Sequence, residues 1–441
     1  MIRGSRLQRT YFTLTGSVSR FSTDKAEVSS RFGGLVFAER EDASLQDPEQ
    51  GVPEHGVRFL DLIRRGNLPL RVASTAPRAQ GGLGLMDLDA PVQRFDGNPI
   101  LTCHDVNAVW KSPDLQVRTV HNAGIAEHRG ETLMLFRSHL RDGISVLGLA
   151  RSADGLHDWR VDPEPAMLPC RESDLFADGV DRARLVENEA GGVEDARISK
   201  IGDTFFVTYS AYHARMKDRV RVSLATTTDF NAFTRHGPVL ETDMRNVVIF
   251  PEAIGGRFWA LFRPNQAFAE IRIGTTDRIE SGRWEISDEP LWRAGGGPSA
   301  FADKIGPGAP PIRTPHGWLD IFHGVRTTMD GNPYVLGVAL HELEAPATVR
   351  VSAIPILTPS RADCAVRDTD YVHVPNVVFT CGALRREDGT VLVYYGGNDT
   401  VMNVAISHED VLAELCRRSP MDPRTGRPAY DLRRGLAGRT Y

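Results

Sequence analysis

Short apolar runs separated by polar turns follow one another from about residue 98 to residue 407, and few stretches have a helical period. One unit of this pattern contains a strand, a Gly or Asp-Gly turn, an apolar and aromatic strand, a loop and a third strand. The clearest copy spans residues 192–212, where an aromatic and β-branched run follows the turn at Gly202-Asp203. Such runs suit a pleated, half-buried surface, so this stretch predicts a β-hairpin.

The unit recurs along the chain, and this repetition indicates the fold class. Five copies can be aligned, with their middle strands expected at residues 130–137, 202–209, 256–263, 317–323 and 389–395. A repeated sheet that buries its faces against its neighbours is typical of a β-propeller. A β-sandwich is the alternative, although its strands need not resemble one another. We therefore predict an all-β chain that forms a five-bladed β-propeller.

The chain divides into three parts by composition. Residues 1–90 are expected to form a partly flexible N-terminal extension with one short amphipathic helix at residues 57–65, and residues 91–415 to form the propeller domain. A capping box at Ser407-His408-Glu409-Asp410 predicts a short helix near the end of this domain. Residues 416–441 are rich in Arg, Pro and Gly and are expected to be a solvated tail.

Composition narrows the cellular setting and the partners. The 441 residues carry 52 basic and 57 acidic side chains, mixed along the chain, with a net charge of -5, so we expect no nucleic acid partner. No apolar run approaches the roughly 20 residues of a membrane span. The acid-free first 22 residues resemble a transit peptide, with a flexible leader as the alternative. The five scattered cysteines lack C-x-x-C spacing, which argues against a disulfide framework and a zinc site and favours the cytoplasm.

Polar residues recur at equivalent positions of the repeats and predict a pocket on one face of the ring. Each has an alternative structural reading: Asp195 could pair with Arg197 in a turn, the arginines could form surface salt bridges, and the histidine and tyrosines could fill the core. Their common register favours the pocket. Those near the ends of second strands are Arg137, Tyr209, Arg263, His323 and Tyr395, and those near the starts of first strands are Asn122, Asp195, Asn246 and Asn376.

The residues of such a pocket differ from those that an ordinary glycoside hydrolase needs. An inverting glycosidase needs a second carboxylate to activate water, whereas an anionic nucleophile needs no base. Arginines provide planar charged groups that match phosphate oxygens. A single acid, Asp195, opposite a basic cluster therefore indicates phosphorolysis, with no metal and no cofactor beyond inorganic phosphate as the co-substrate.

Several segments, in order from about residue 98 to residue 415, resemble the motifs of the β-mannoside phosphorylases of glycoside hydrolase family 130. These segments are Asn122-Ala123-Gly124, Leu135-Phe136-Arg137, Glu194-Asp195-Ala196-Arg197-Ile198, Arg245-Asn246-Val247-Val248-Ile249-Phe250-Pro251-Glu252, Leu261-Phe262-Arg263-Pro264, Gly308-Ala309-Pro310-Pro311-Ile312-Arg313-Thr314, Phe322-His323-Gly324-Val325 and Tyr394-Tyr395-Gly396-Gly397-Asn398-Asp399-Thr400. The resemblance implies a five-bladed propeller and inverting phosphorolysis of a β-mannoside to α-mannose 1-phosphate.

The resemblance also implies a role for each matching residue. Asp195 is the implied general acid, acting through a hydroxyl of the mannose, and its pKa is expected to rise through burial. The remaining implied groups bind phosphate (Arg245, Arg263, Arg313 and His323) or the mannose (Asn122, Arg137 and Asp399).

Two departures from the family pattern occur: Arg313 stands where Lys is common, and Ala123 stands where a Ser often follows the mannose-binding Asn. A β-mannosidase on the same propeller and a propeller that only binds carbohydrate are the alternative functions. The linkage (β-1,4 or β-1,2), the acceptor sugar and the oligomeric state, including a homo-oligomer, stay open at this stage.

Overall fold

Antiparallel β-sheet forms most of the regular structure in the computed structural model, as the repeated pattern predicts. The structure describes residues 9–12, 18–21, 91–216, 220–297, 299–329, 331–364, 372–423 and 426. The amphipathic helix expected at residues 57–65 lies outside these residues. The first strands are a hairpin of β1 (Arg9–Phe12) and β2 (Val18–Phe21), followed by the short β3 (Gln93–Arg94).

The first two repeats each form a mainly antiparallel sheet, and one parallel backbone pairing between Ser145 and Gly192 joins them. The first sheet contains β4 (His121–His128), β5 (Glu131–His139), β6 (Ser145–Ser152) and β7 (Arg160–Val161). The second contains β8 (Leu175–Phe176), β9 (Gly192–Ile201), β10 (Thr204–Tyr212), β11 (Val220–Thr227) and β12 (Thr234–Pro238). The pairing of β9 with β10 confirms the hairpin predicted at residues 192–212.

The other three repeats form separate sheets. The third contains β13 (Met244–Ile249), β14 (Phe258–Pro264), β15 (Glu270–Thr276), β16 (Glu285–Ile286) and β17 (Trp292–Arg293). The fourth contains β18 (Lys304–Pro307), β19 (Ile312–Thr314), β20 (Gly317–Val325), β21 (Tyr334–His341) and β22 (Val349–Ser352). The fifth contains β23 (Val378–Arg385), β24 (Thr390–Gly397) and β25 (Val401–His408).

Helices are few and short in the described residues, and none is both long and apolar enough to cross a membrane. The α-helices are α1 (Cys103–Val109), α2 (Arg182–Glu189) and α3 (Glu409–Arg418), and short 3-10 helices lie at Pro113–Leu115, Ile279–Ser281 and Arg361–Cys364. The helix predicted after residue 407 is confirmed, but its N-cap is His408, whose ring accepts a hydrogen bond from the backbone N–H of Asp410.

The boundary of the tail predicted from Cys416 is wrong. Helix α3 continues to Arg418, and β26 (Pro420–Met421) then pairs with β22. Cys416 and Met421 are buried, so apolar contacts hold this segment against the fourth sheet. Residues 427–441 lie outside the part of the chain that the structure describes.

Successive sheets share hydrophobic clusters, because alternate residues of a strand point to opposite faces. In β5, Leu133 and Leu135 pack toward the second sheet, whereas Met134 and Phe136 pack toward the fifth. Corresponding clusters lie between the second and third, third and fourth, and fourth and fifth sheets. Each sheet therefore buries both faces against neighbours, and the first and fifth sheets are neighbours too.

An ion pair reinforces the contact between the fifth sheet and β3. Strand β3 pairs with β25, so Arg94 joins the last sheet. Its guanidinium donates to both carboxylate oxygens of the buried Asp363, at 2.6 and 2.9 Å. A two-pronged bond of this kind fixes geometry as well as adding attraction.

Candidate active site

The first strands of three successive sheets carry an Asn or Asp in the left-handed conformation. The φ angles are 49° at Asn122, 52° at Asp195 and 54° at Asn246, and each residue lies where strand pairing shifts register. Asn and Asp tolerate this conformation better than other side chains that carry a Cβ. Because a bulge changes the direction of a side chain, the three can reach groups beyond their own sheet.

A cluster of carboxylates surrounds one buried arginine. Arg137 donates from Nη1 to Oδ1 of Asp195 (3.1 Å) and from Nη2 to Oε1 of Glu194 (2.7 Å). Asn122 donates from Nδ2 to the same Oδ1 of Asp195 (3.1 Å). Asp399 lies close enough to interact electrostatically with Arg137 and Asp195. We call Glu194, Asp195 and Asp399 the carboxylate cluster.

These acids differ in pKa because their partners differ. Burial alone would raise the pKa of Asp195, but Arg137, Arg197 and the hydrogen bond from Asn122 outweigh it, so the pKa lies below the usual value. Burial raises the pKa of Glu194, and Arg137 offsets this only in part. The expectation that burial raises the pKa of Asp195 is therefore wrong for the protein's own groups, since nearby positive charge favours the carboxylate.

Asp399 has a pKa raised toward neutral pH. Burial raises its pKa to about 6, Arg137 acts in the opposite direction, and the charges of Asp195 and Glu194 add to the rise. Carboxylates that share one site cannot all ionise easily. The cluster therefore exchanges protons in the physiological range.

A second group of side chains is cationic, and we call Arg245, Arg263 and Lys304 the cationic cluster. Arg245 and Arg263 stand directly opposite each other on β13 and β14, an arrangement of like charges that is destabilising. Burial and the charge of Arg245 lower the pKa of Arg263 to about 10. Burial and the charges of Arg263 and Arg245 lower the pKa of Lys304 to about 7.

None of these cations forms a salt bridge with a carboxylate of the described residues. Arg245 lies over the ring of Tyr212, 5.5 Å from its centroid, and Lys304 donates to the hydroxyl of Tyr334 at 2.7 Å. Nε of Arg263 is buried and has no hydrogen-bond partner among the described residues. Buried charges are normally paired, so this cluster is suited to an anion that the chain does not supply.

His323 stands beside the cationic cluster as a neutral ring. Burial and the charges of Arg263 and Lys304 hold the pKa of His323 far below its usual range. Its Nε2 lies 3.4 Å from Nδ2 of Asn246, and its Nδ1 is buried with no partner among the described residues. Neutral His323 can therefore offer a hydrogen bond without adding to the charge.

The two clusters lie close enough to interact electrostatically. Asp399 and Asp195 both act on Lys304, in the direction that raises its pKa, against the larger effect of burial. Tyr212 lies between them, and burial together with the charge of Glu194 raises its pKa to about 12. Acids able to exchange a proton thus lie next to a site for an anion.

Arg313 is not brought to this site. Its side chain is 56% exposed, and Nε lies 3.2 Å from Oε1 of Glu252. The prediction that Arg313 completes a trio of arginines therefore needs correction, because β19 turns this side chain to the surface. The third cation is instead Lys304 on β18, a strand that the sequence pattern did not reveal because Gly306 and Pro307 interrupt its apolar alternation.

Two tyrosines predicted at equivalent repeat positions also have other roles. The hydroxyl of Tyr209 donates to Oε1 of the buried Glu189 (2.7 Å), and that of Tyr395 donates to Oδ1 of Asp363 (2.8 Å). The structure brings together Asn122, Arg137, Asp195, Arg245, Arg263, His323 and Asp399 of the predicted site. No group of three or more His, Cys, Asp or Glu in the described residues is arranged to hold a metal ion.

Comparison with known proteins relates this chain to a family of carbohydrate-active enzymes. A family model for glycoside hydrolase family 130, described as β-1,4-mannooligosaccharide phosphorylase, matches residues 92–418. The chain is 34% identical over 265 residues to a 1,2-β-oligomannan phosphorylase of Thermoanaerobacter sp. (strain X514), covering 60% of this chain and 78% of the relative. It is 28% identical over 390 residues to a 4-O-β-D-mannosyl-D-glucose phosphorylase of Bacteroides fragilis, covering 80% of this chain and 94% of that enzyme.

A solved structure is similar as well. The β-1,2-mannobiose phosphorylase of Listeria innocua, in complex with β-1,2-mannobiose, superposes with a TM-score of 0.59 at 26% identity. The match covers 74% of this chain and 99% of that one.

Proposed function

The chain belongs to glycoside hydrolase family 130, and on that premise we propose that it cleaves β-mannosides with inorganic phosphate and releases α-mannose 1-phosphate. The observation that carries the proposal is the cationic cluster without a carboxylate partner. Two arginines and a lysine beside neutral His323 fit a phosphate dianion, since guanidinium and ammonium groups form strong charge-assisted bonds to phosphate oxygens. Arg245, Arg263, Lys304 and His323 are the proposed phosphate-binding residues.

The reaction is a single displacement with inversion. A phosphate oxygen forms a bond to the anomeric carbon of the mannose while the bond from that carbon to the leaving oxygen breaks. The proton of Asp195 passes through a mannose hydroxyl to the leaving oxygen, so no second carboxylate is needed to activate water. Asp195 is thus the proposed general acid.

Phosphate binding would prepare this acid. The protein's own cations keep the pKa of Asp195 low, and a dianion held on the cationic cluster adds nearby negative charge. Nearby negative charge disfavours the carboxylate form, so the pKa of Asp195 rises once phosphate is bound. The enzyme would therefore acquire its proton donor together with its nucleophile.

The mannose is held by Asn122, Arg137 and Asp399 in this proposal. Oδ1 of Asn122 is buried without a partner among the described residues, and can accept a hydrogen bond from a sugar hydroxyl. Arg137 is already ordered by its bonds to Glu194 and Asp195. Such ordering fixes the sugar for in-line attack.

A five-bladed β-propeller is part of the same proposal. Five antiparallel sheets, a shared cluster between each successive pair and a fifth sheet adjacent to the first support a closed ring. The cytoplasmic location, which the five free cysteines support, and a homo-oligomeric state also stay predictions.

Hydrolysis on the same fold and binding without catalysis are the competing functions, and one experiment separates all three. The protein is incubated with β-1,2-mannobiose or β-1,4-mannobiose, with and without inorganic phosphate. Phosphate-dependent mannose 1-phosphate is expected. Mannose released equally well without phosphate would indicate a β-mannosidase, and no product from any mannoside would indicate a binding protein.

The linkage and the acceptor follow from the reverse reaction. Relatives of this chain act on β-1,2 and on 4-O-linked mannosides, so the family alone does not choose between them. Synthesis from mannose 1-phosphate with mannose, glucose or N-acetylglucosamine as acceptor identifies both, since each product has its own linkage.

A further inference from the structure

Arg197 is a buried arginine on β9 that lies between the carboxylate and cationic clusters, and it is only 2% exposed. Every nitrogen of its guanidinium donates a hydrogen bond. The acceptors are the carbonyl oxygen of Gly308 (2.9 Å from Nε), the carbonyl oxygen of Asp195 (2.8 Å from Nη1) and Oδ1 of Asn246 (3.1 Å from Nη2).

These contacts extend across the centre of the molecule. Asp195, Asn246 and Gly308 belong to the second, third and fourth repeats, and the guanidinium carbon lies 5.9 Å from the ring centroid of Phe379 in the fifth. All three acceptors are uncharged oxygens. The charge of Arg197 also acts on the nearby carboxylate of Asp195, so this residue contributes both hydrogen bonds between repeats and positive charge at the proposed acid.

On one side, Arg197 fixes the backbone at the proposed acid. Asp195 has a φ of 52°, a conformation that persists only where its surroundings hold it. The hydrogen bond from Arg197 to the carbonyl oxygen of Asp195 holds the peptide that follows. The carboxylate is thereby directed to Asn122 and Arg137.

On the other side, Arg197 orients the groups next to the phosphate site. An arginine can only donate, so the atom of Asn246 that faces it must be Oδ1, and Nδ2 must face His323. Nε2 of His323 then accepts, and the neutral ring carries its proton on Nδ1. Asn246 also directly follows Arg245 in the chain, so its position affects the cationic cluster.

We propose that Arg197 is a positioning residue that sets the distance between the carboxylate cluster and the cationic cluster. The inference rests on the proposed function, and Arg197 acts through Asp195 and Asn246 rather than on a substrate. Lys could keep the charge but could not replace a planar group that reaches three acceptors in different repeats. A displacement of about 1 Å between reacting groups can reduce a rate by about 100-fold.

The test compares R197K and R197M with a matched control, S199A. Ser199 is also buried on β9, and it donates to the carbonyl oxygen of Ile249 (2.6 Å), so it joins the second and third repeats away from the site. We expect kcat at saturating phosphate to fall about 100-fold in R197K and R197M. S199A should lower the unfolding temperature and leave kcat and KM unchanged.

The pH profile of kcat supplies a readout that lost stability would not move. Removing the charge in R197M should shift the basic limb, which reports deprotonation of Asp195, to higher pH, because a nearby cation favours the carboxylate. R197K keeps the charge and should leave that limb in place. If R197M does not fold, N246S tests the cationic side alone, with an expected increase of about tenfold in the KM for phosphate.

Folded R197K and R197M enzymes with kcat within threefold of the wild type would overturn the inference. Phosphate affinity, measured by calorimetry, needs no turnover and keeps the test independent of the reaction assigned above. R197M is expected to bind phosphate about tenfold more weakly. Unchanged affinity would count against the positioning role even if the wild type catalysed another reaction.

Discussion

Replacing Arg263 with Met should make the protein more stable and less active at the same time. Arg263 is 3% exposed, faces Arg245 across two paired strands and has no carboxylate partner among the described residues. A residue placed there for stability would behave in the opposite way. The prediction therefore separates a binding role from a structural one.

The magnitude follows from the pKa. Burial and Arg245 lower the pKa of Arg263 from 12.5 to about 10, which corresponds to roughly 3 kcal/mol at 1.36 kcal/mol per unit. Because the pKa of this base is depressed in the folded protein, its charge destabilises the fold at every pH below about 10. Met keeps most of the side-chain volume, so we expect a gain of about 1–3 kcal/mol in the free energy of unfolding.

The loss of activity has a separate estimate. A hydrogen bond to a charged group contributes about 1.5–3 kcal/mol, and 1.4 kcal/mol is a factor of ten. In R263M, kcat/KM for phosphate should therefore fall by roughly 10- to 100-fold. The assay is phosphorolysis at varied phosphate, beside thermal unfolding in phosphate-free buffer.

The control is R263K, which keeps the charge and loses the planar fork. It should resemble the wild type in stability and lie between the wild type and R263M in activity. The reasoning is refuted if R263M unfolds well below the wild-type temperature while phosphorolysis is unchanged, since Arg263 would then stabilise the fold and not bind the nucleophile.

Three further predictions concern the acids and the lysine. D195N should abolish turnover and leave mannoside binding intact by calorimetry, with retained turnover assigning the acid to Glu194 instead. Sulfate, which does not titrate near neutrality, should bind with proton uptake at pH 8, because an anion raises the pKa of Lys304 above its value of about 7; the same uptake in K304M would refute this. The raised pKa of about 6 means that ionised Asp399 destabilises the folded wild type, with no effect near pH 3 and the full effect above pH 6. The free energy of unfolding of D399N should therefore exceed that of the wild type by an amount that grows over this interval to roughly 3 kcal/mol. A difference that does not change with pH would contradict this.

The strands were predictable because their pattern is local. Alternating apolar residues and Gly-containing turns located the middle strand of every repeat, as in β10 after Gly202-Asp203. Each repeat also contains several strands, so its recurrence indicates a repeated sheet and not an accidental similarity between single apolar segments. By contrast, the end of the domain was misjudged because the residues after Cys416 are mostly polar. Cys416 and Met421 are nevertheless buried, and only the folded protein shows that they pack against the fourth sheet.

Site residues such as Asn122 and Asp195 were predictable because each lies in a recognisable motif near the start of a predicted strand. The direction of a side chain was not predictable where it depends on the connection between two short strands. Arg313 and Lys304 lie within ten residues of each other, and only the short break between β18 and β19 decides which of them points inward. The pKa of Asp195 depends on Arg137, which is remote in sequence, so burial alone gave the wrong direction.

The pairing of β3 with β25 has a consequence for how the protein is made. Strand β3 leaves the ribosome early, yet its partner follows roughly 300 residues later, a delay of about 15–60 s at typical translation rates. Asp363 is synthesised before β25, but until β25 follows, Arg94 lacks the sheet that places it beside this carboxylate. The nascent protein therefore completes its fifth sheet only after β25 has been synthesised, and a polypeptide released before residue 401 lacks the partner that β3 requires.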